Sequence, residues 1–236
     1  MRFATTRRLN SPQLVAFGSL LILIFITSMK YPNDPEKTYT YLALGDSYTI
    51  GEQVPEGYNF PNQVIRFLNE KGIAFQAPTI VAKTGWTTDE LQMTLGNYSF
   101  LSKYDFVSLL IGVNNQYRGR DAIEYKEQFE EILKKAIELA NGKKEHVIIV
   151  SIPDYSLTPF AKSMDREKIS KEIEVFNGIN KALSIQYKVQ YVDVSSAFRE
   201  NKDLVDLIAG DGLHPSQKEY ANWAEKIVEV IVSQLK

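Results

Sequence analysis

A chain of 236 residues with a net charge of -2 and 44% hydrophobic residues has the apolar material for one globular domain of about 200 residues with a full core. The near-neutral balance, with no basic run past residue 40, lacks the electrostatic footprint of a nucleic-acid binder. The absence of cysteine excludes disulfides, a thiol nucleophile and thiolate metal sites. With only His146 and His214 as histidines, no metal is expected.

At the N-terminus, Arg2, Arg7 and Arg8 precede an apolar stretch from Leu14 to Met29, broken only by Gly18, Ser19, Thr27 and Ser28. Residues 1–29 therefore read as a signal peptide or a membrane signal anchor. Thr27 to Tyr31 offers no small-x-small cleavage site, which favours an uncleaved anchor. A buried core helix fits the flanking arginines poorly, and Leu9-Asn10-Ser11 does not continue a twin-arginine signal after Arg7-Arg8. A polar, proline-containing linker, residues 30–38, leads into the domain, residues 39–236. Positive charge ahead of the apolar run predicts that this domain is exported to the periplasmic or extracellular side, with the membrane as a partner of the N-terminal segment.

Beyond the linker, apolar β-rich runs alternate with amphipathic helical stretches, the pattern of a parallel sheet covered by helices on both faces. Strands are predicted at Thr40–Leu44, Thr79–Val81, Phe106–Ile111, His146–Ser151 and Gln190–Val194, short and nearly all apolar, as burial on both faces requires. Helices are predicted over Phe60–Lys71, Thr87–Gly96, Asp121–Asn141, Met164–Gln186 and Ser216–Leu235. In the third, Tyr125, Phe129, Ile132, Leu133 and Ala136 recur at helical spacing, and Gly142 is placed to end it. Thr87-Thr88-Asp89-Glu90 has the form of a capping box, starting a helix directly after Gly85-Trp86. Ligands of an open parallel sheet bind at the carboxyl ends of its strands, so the polar segments that follow strands are where chemistry is sought.

The first such segment, Tyr41–Gly51, reads Y-L-A-L-G-D-S-Y-T-I-G. Ser47 is placed in a tight turn after an apolar strand, where a nucleophile is exposed beside backbone N–H groups. Read alone, G-D-S serves equally well as a helix cap, and Gly45 and Gly51 fit no phosphate-binding loop. Gly85 follows the second strand and reads by itself as a turn glycine. Asn114 and Asn115 follow the most hydrophobic strand, where a side-chain amide can donate to an oxyanion, although an Asx-rich turn is the simpler account. Near the other end, Asp211–Pro215 reads D-G-L-H-P, which sets a carboxylate three residues before the imidazole of His214. His146, opening an apolar strand, reads as structural.

Taken in order, these four segments resemble the SGNH or GDSL family of serine esterases and lipases, from Thr40 to the C-terminus. The resemblance implies a three-layer α/β/α, flavodoxin-like fold around a parallel five-stranded sheet. It implies a carboxylic ester hydrolase with Ser47 as nucleophile and His214 and Asp211 as base and orienting acid. The oxyanion hole would comprise the Ser47 and Gly85 N–H groups and the Asn114 amide. No cofactor is implied. One departure is Asn115, where the family commonly has aspartate, at a position expected to support the loop. The G-x-S-x-G elbow of α/β-hydrolases is absent around Ser47.

Tyr48, Tyr117 and Arg118 are expected to line the substrate pocket, with Ile152–Phe160 as a loop over it. The expected partner is a small-molecule, lipid or carbohydrate ester, such as a lysophospholipid or an O-acetylated sugar. A catalytically silent envelope- or carbohydrate-binding module on the same fold is the alternative, and the joint presence of Ser47, Asn114, Asp211 and His214 speaks against it.

Overall fold

The computed structural model describes Met1 and residues 37–200 and 204–235. The N-terminal segment read as a signal or anchor, and nearly all of the linker, lie outside the described residues. Among the described residues no helix is long and apolar enough to cross a membrane.

Five strands, β1 (Tyr41–Gly45), β2 (Thr79–Ala82), β3 (Phe106–Leu110), β4 (Val147–Val150) and β5 (Gln190–Val192), form one parallel sheet in the order β2-β1-β3-β4-β5. Every residue of β1, β3 and β4 is buried, which is why these sequences are continuous apolar runs and do not alternate. The polar residue within β3, Ser108, is satisfied across the sheet by the Tyr41 phenol, which donates to its hydroxyl at 2.7 Å.

The helices are α1 (Ser47–Ile50), α2 (Phe60–Glu70), α3 (Thr88–Asn97), α4 (Val113–Tyr117), α5 (Ala122–Leu139), α6 (Arg166–Tyr187), α7 (Ser195–Glu200) and α8 (Gln217–Gln234). α2 packs on α8, while α3, α5 and α6 pack in series, giving the three-layer α/β/α arrangement expected from the alternation. The apolar stripe of α5, from Tyr125 to Ala136, faces the core. Asp121 caps its start, and the Gly142 N–H returns to the Ile137 carbonyl at 2.9 Å past its end. Both halves of the Thr87/Glu90 capping box form.

The departures from the predicted elements have local causes. His146 closes a 3-10 turn, Lys144–His146, and does not open β4. Its Nδ1 donates to the Asp105 carbonyl at 2.6 Å and its ring stacks on Phe106 at 4.3 Å, in keeping with a structural role. β5 stops at Val192 because the Asp193 carboxylate accepts the Ser196 N–H and hydroxyl at 2.9 and 2.7 Å, turning the chain into α7. The segments α1, α4 and α7 were absent from the predicted elements, since four to six residues are too few to show a helical period.

The register of the sheet positions the site. Gly45 pairs with both Ala82 and Leu110, so β1, β2 and β3 end side by side. The flavodoxin-like strand order has its switch point between β1 and β3, the crevice where doubly wound sheets bind ligands.

Candidate active site

Gly45 lets the chain leave β1 tightly. A Cβ at this position would approach the Thr49 hydroxyl to 2.1 Å and the Leu110 carbonyl to 2.4 Å, so any side chain would push the turn off β3. Asp46 then caps α1, its Oδ1 accepting the Tyr48 N–H at 3.0 Å, and Ser47 follows as the first helical residue. Burial raises the Asp46 carboxyl to about 7, and the Tyr48 N–H only partly opposes the shift. Asp46 Oδ2 has no hydrogen-bond partner among the described residues.

The second loop closes on this turn from the far end of the chain. Asp211 Oδ1 accepts the N–H groups of Leu213 and His214 at 2.9 and 3.0 Å, and its Oδ2 accepts His214 Nδ1–H at 2.6 Å. Burial would raise the Asp211 carboxyl, but these three bonds outweigh it and hold the group below its ordinary range. With Nδ1 engaged by a carboxylate, Nε2 is left as the acceptor facing Ser47 Oγ, 3.0 Å away. Packing sets the distance: Trp223 of α8 lies 6.2 Å from the Tyr48 ring, and Tyr48 lies 5.3 Å from the imidazole. Tyr48 is buried, which pushes its phenol upward and keeps it neutral.

Opposite Ser47, the segment after β2 and helix α4 are fastened to each other. Gly85 has φ +84, a conformation that L side chains rarely adopt. Asn114 Nδ2 donates to the Trp86 carbonyl at 2.9 Å, which leaves its second N–H uncommitted to that bond. Asn115 is 1% exposed; its Oδ1 accepts the Thr88 N–H at 3.0 Å and its Nδ2 donates to the Thr88 hydroxyl at 2.7 Å. The Asn115 amide thus ties α4 to the first turn of α3, the supporting position expected for it.

Ser47, Gly85, Asn114 and His214 share one cavity of about 200 Å³. Its apolar wall is built by Val113, Leu213, Tyr117, Tyr155 and Phe160, the three rings lying 6.3 to 6.4 Å apart. Of the residues expected to line it, Tyr48 and Tyr117 do, Tyr117 being 53% exposed. Arg118 is outside the lining and donates instead to the Gly85 carbonyl at 2.6 Å. The sequence marked the 152–160 segment only as a covering loop, and its specific contributions, Tyr155 and Phe160, carried no periodic signal. The Phe160 N–H donates to the Gly212 carbonyl at 2.9 Å, tying this loop to the one bearing His214. Burial pushes the Tyr155 phenol up to about 12, so it too is neutral. Among the described residues no group of three or more histidines, aspartates or glutamates is arranged to hold a metal ion.

A parallel sheet in this order, with Ser47, His214 and Asp211 in hydrogen-bonded sequence at its carboxyl edge, has the architecture of the SGNH hydrolases. The chain belongs to the GDSL-like lipase/acylhydrolase family, whose model matches residues 43–221, and membership in it supports ester hydrolysis in general terms. The fold is that of a lipase/acylhydrolase from Enterococcus faecalis, with a TM-score of 0.70 at 20% identity over 84% of this chain and 98% of that one. An acetyl xylan esterase from Geobacillus stearothermophilus, in a variant form, gives 0.65 at 19% identity over 82% and 94%. The psychrotrophic esterase EstA from Pseudoalteromonas sp. gives 0.60 at 16% over 84% and 98%. No curated protein matches the chain.

Proposed function

We propose that this protein is a serine hydrolase that cleaves carboxylic esters through an acyl-enzyme on Ser47. The observation that carries this reading is the unbroken line of hydrogen bonds from Ser47 Oγ through His214 to Asp211, facing a cavity that also borders Gly85 and Asn114. In the first half-reaction His214 Nε2 takes the Ser47 proton as Oγ attacks the ester carbonyl. The charge that develops on the carbonyl oxygen is met by the Ser47 and Gly85 N–H groups and the free N–H of the Asn114 amide. Asp211 holds the imidazole in orientation and offsets its positive charge, and the imidazolium protonates the leaving alcohol. Water then repeats the sequence on the acyl-enzyme and frees the acid.

A short-to-medium acyl group is the substrate portion we assign to the cavity. At about 200 Å³ it is smaller than the roughly 300–1,000 Å³ of sites that take drug-sized ligands. Whether the alcohol is carried by a lipid or a sugar is decided by screening both classes of ester. We further propose that the domain works on the outer side of the membrane, on the strength of the arginines ahead of the N-terminal apolar run. Protease sensitivity of the domain in intact cells tests that placement.

The test of the reaction is to expose the full chain and its Ser47→Ala variant to a fluorophosphonate probe and to map the label by mass spectrometry. Modification of Ser47 alone is expected. A folded wild-type protein that takes no label would overturn the reading in favour of a silent binding module.

A further inference from the structure

Arg118 is the residue that caps α4, and both arms of its guanidinium are engaged on the opposite segment. Nη2 donates to the Gly85 carbonyl at 2.6 Å, and Nη1 lies 3.4 Å from Glu90 Oε2. That same carboxylate oxygen accepts the Thr87 N–H at 2.9 Å, so Arg118 spans the segment from Gly85 to the start of α3. The peptide unit between Gly85 and Trp86 is held at its other end as well, since the Trp86 N–H donates to the Lys83 carbonyl at 3.2 Å. Gly85 has no Cβ to restrict it and sits at φ +84, so its flanking peptide planes rotate freely unless something fixes them. Its N–H makes no hydrogen bond among the described residues, and Gly85 borders the cavity that contains Ser47.

Resting on the ester-hydrolase reading above, we infer that Arg118 is a positioning residue: by holding the Gly85–Trp86 peptide unit it anchors the Gly85 Cα, and through it the N–H of the preceding Thr84–Gly85 unit, as an oxyanion donor, and it does not serve as a cation for the substrate. Its charge faces Glu90, and it lies outside the cavity lining. The pair is roughly half exposed on both sides, with side-chain accessibilities of 43% and 42%. Such pairs contribute little to stability, so the effect of Arg118 falls on geometry. The planar guanidinium keeps its donors in a fixed fork, which suits it to hold a carbonyl in one orientation.

The test measures kcat and KM separately for wild type, Arg118→Ala, Arg118→Lys and Glu90→Gln. Two esters of one leaving group are used, one with a neutral acyl chain and one ending in a carboxylate. Losing an oxyanion donor costs about 10²–10³ in turnover, and loosening one should cost less, about tenfold. Arg118→Ala should therefore lower kcat about tenfold on both esters with KM within about twofold, and Arg118→Lys should recover part of the loss. Glu90→Gln keeps the capping box and the Gly85 contact and should change kcat less than twofold. An unchanged kcat in Arg118→Ala, a KM increase confined to the carboxylate-bearing ester, or a Glu90→Gln loss equal to that of Arg118→Ala would each overturn the inference. A wild-type protein that turns over neither ester and takes no fluorophosphonate overturns the ester-hydrolase reading and this inference with it. An active wild type with an unaffected Arg118→Ala overturns this inference alone.

Discussion

On the Ser47 side of the cavity each of the two turns is fixed locally, with Asp46 accepting from Tyr48 two residues on and Asp211 accepting from Leu213 and His214 two and three residues on, and the turns meet through the Ser47–His214 bond. On the Gly85 side they span the chain: Asn115 to Thr88, Asn114 to Trp86 and Arg118 to Gly85 join residues 27, 28 and 33 positions apart. A turn held by bonds within three residues forms whenever its few dihedrals are set. A wall held by distant partners exists only once α3 and α4 have docked on the sheet. The first side should therefore respond to substitution mainly in chemistry, and the second in both chemistry and stability.

The sharpest way to break this contrast is at its extremes. Ser47→Ala should lower turnover by at least about 10⁴-fold while leaving the denaturation midpoint near that of wild type, as read from initial rates and urea unfolding. Asn114→Ala should lower kcat about 10²–10³-fold and also cost some stability, because the Trp86 carbonyl loses its donor. Equal losses of rate in the two variants would erase the distinction between nucleophile and oxyanion support.

Asn115→Ala leaves the buried Thr88 N–H without its acceptor and should cost about 1–3 kcal/mol in urea unfolding. Its kcat should fall less than that of Asn114→Ala, since Asn115 is not among the residues lining the cavity. A variant as stable as wild type would show that the Gly85 side does not depend on its long-range ties.

A further effect is one of pH on the local side. Burial raises the Asp46 carboxyl from its ordinary 3.8 to about 7 in the fold, so between these values the folded chain holds a proton that the unfolded chain releases. The stability from this group is present in full below 3.8 and is lost as pH rises through about 7. Asp46→Asn keeps the cap and removes the titration, so the wild-type Tm relative to the variant should decline across that window. A difference that stays constant with pH would show that Asp46 behaves as a solvent-exposed carboxyl.

Much of this molecule was legible because its signals are short-range. The three central strands, β1, β3 and β4, read as nearly unbroken apolar runs since every residue in them is buried. The five long helices carry a 3.6-residue stripe with caps at Thr87, Asp121 and Ser216. Ser47, Asp211 and His214 stood out because G-D-S and D-G-L-H each build their geometry within a few residues. Tyr155 and Phe160 did not, because an apolar residue in an irregular loop has no period to reveal which way it faces. Arg118 was misplaced from the cavity wall for a related reason: nothing in its neighbourhood in sequence names Gly85 as its partner.

The sequence by itself determined where the five strands and the five long helices lie and which turn carries the serine, since hydrophobic period, capping and turn chemistry act between neighbouring residues. Only the tertiary structure decided that β1 lies between β2 and β3, that Ser47 stands 3.0 Å from a histidine 167 positions away, and that Asn115 and Arg118 bind the segment opposite. These pairings form when the strands fall into register and the helices pack over them, and both are set by the burial of surfaces distant in sequence.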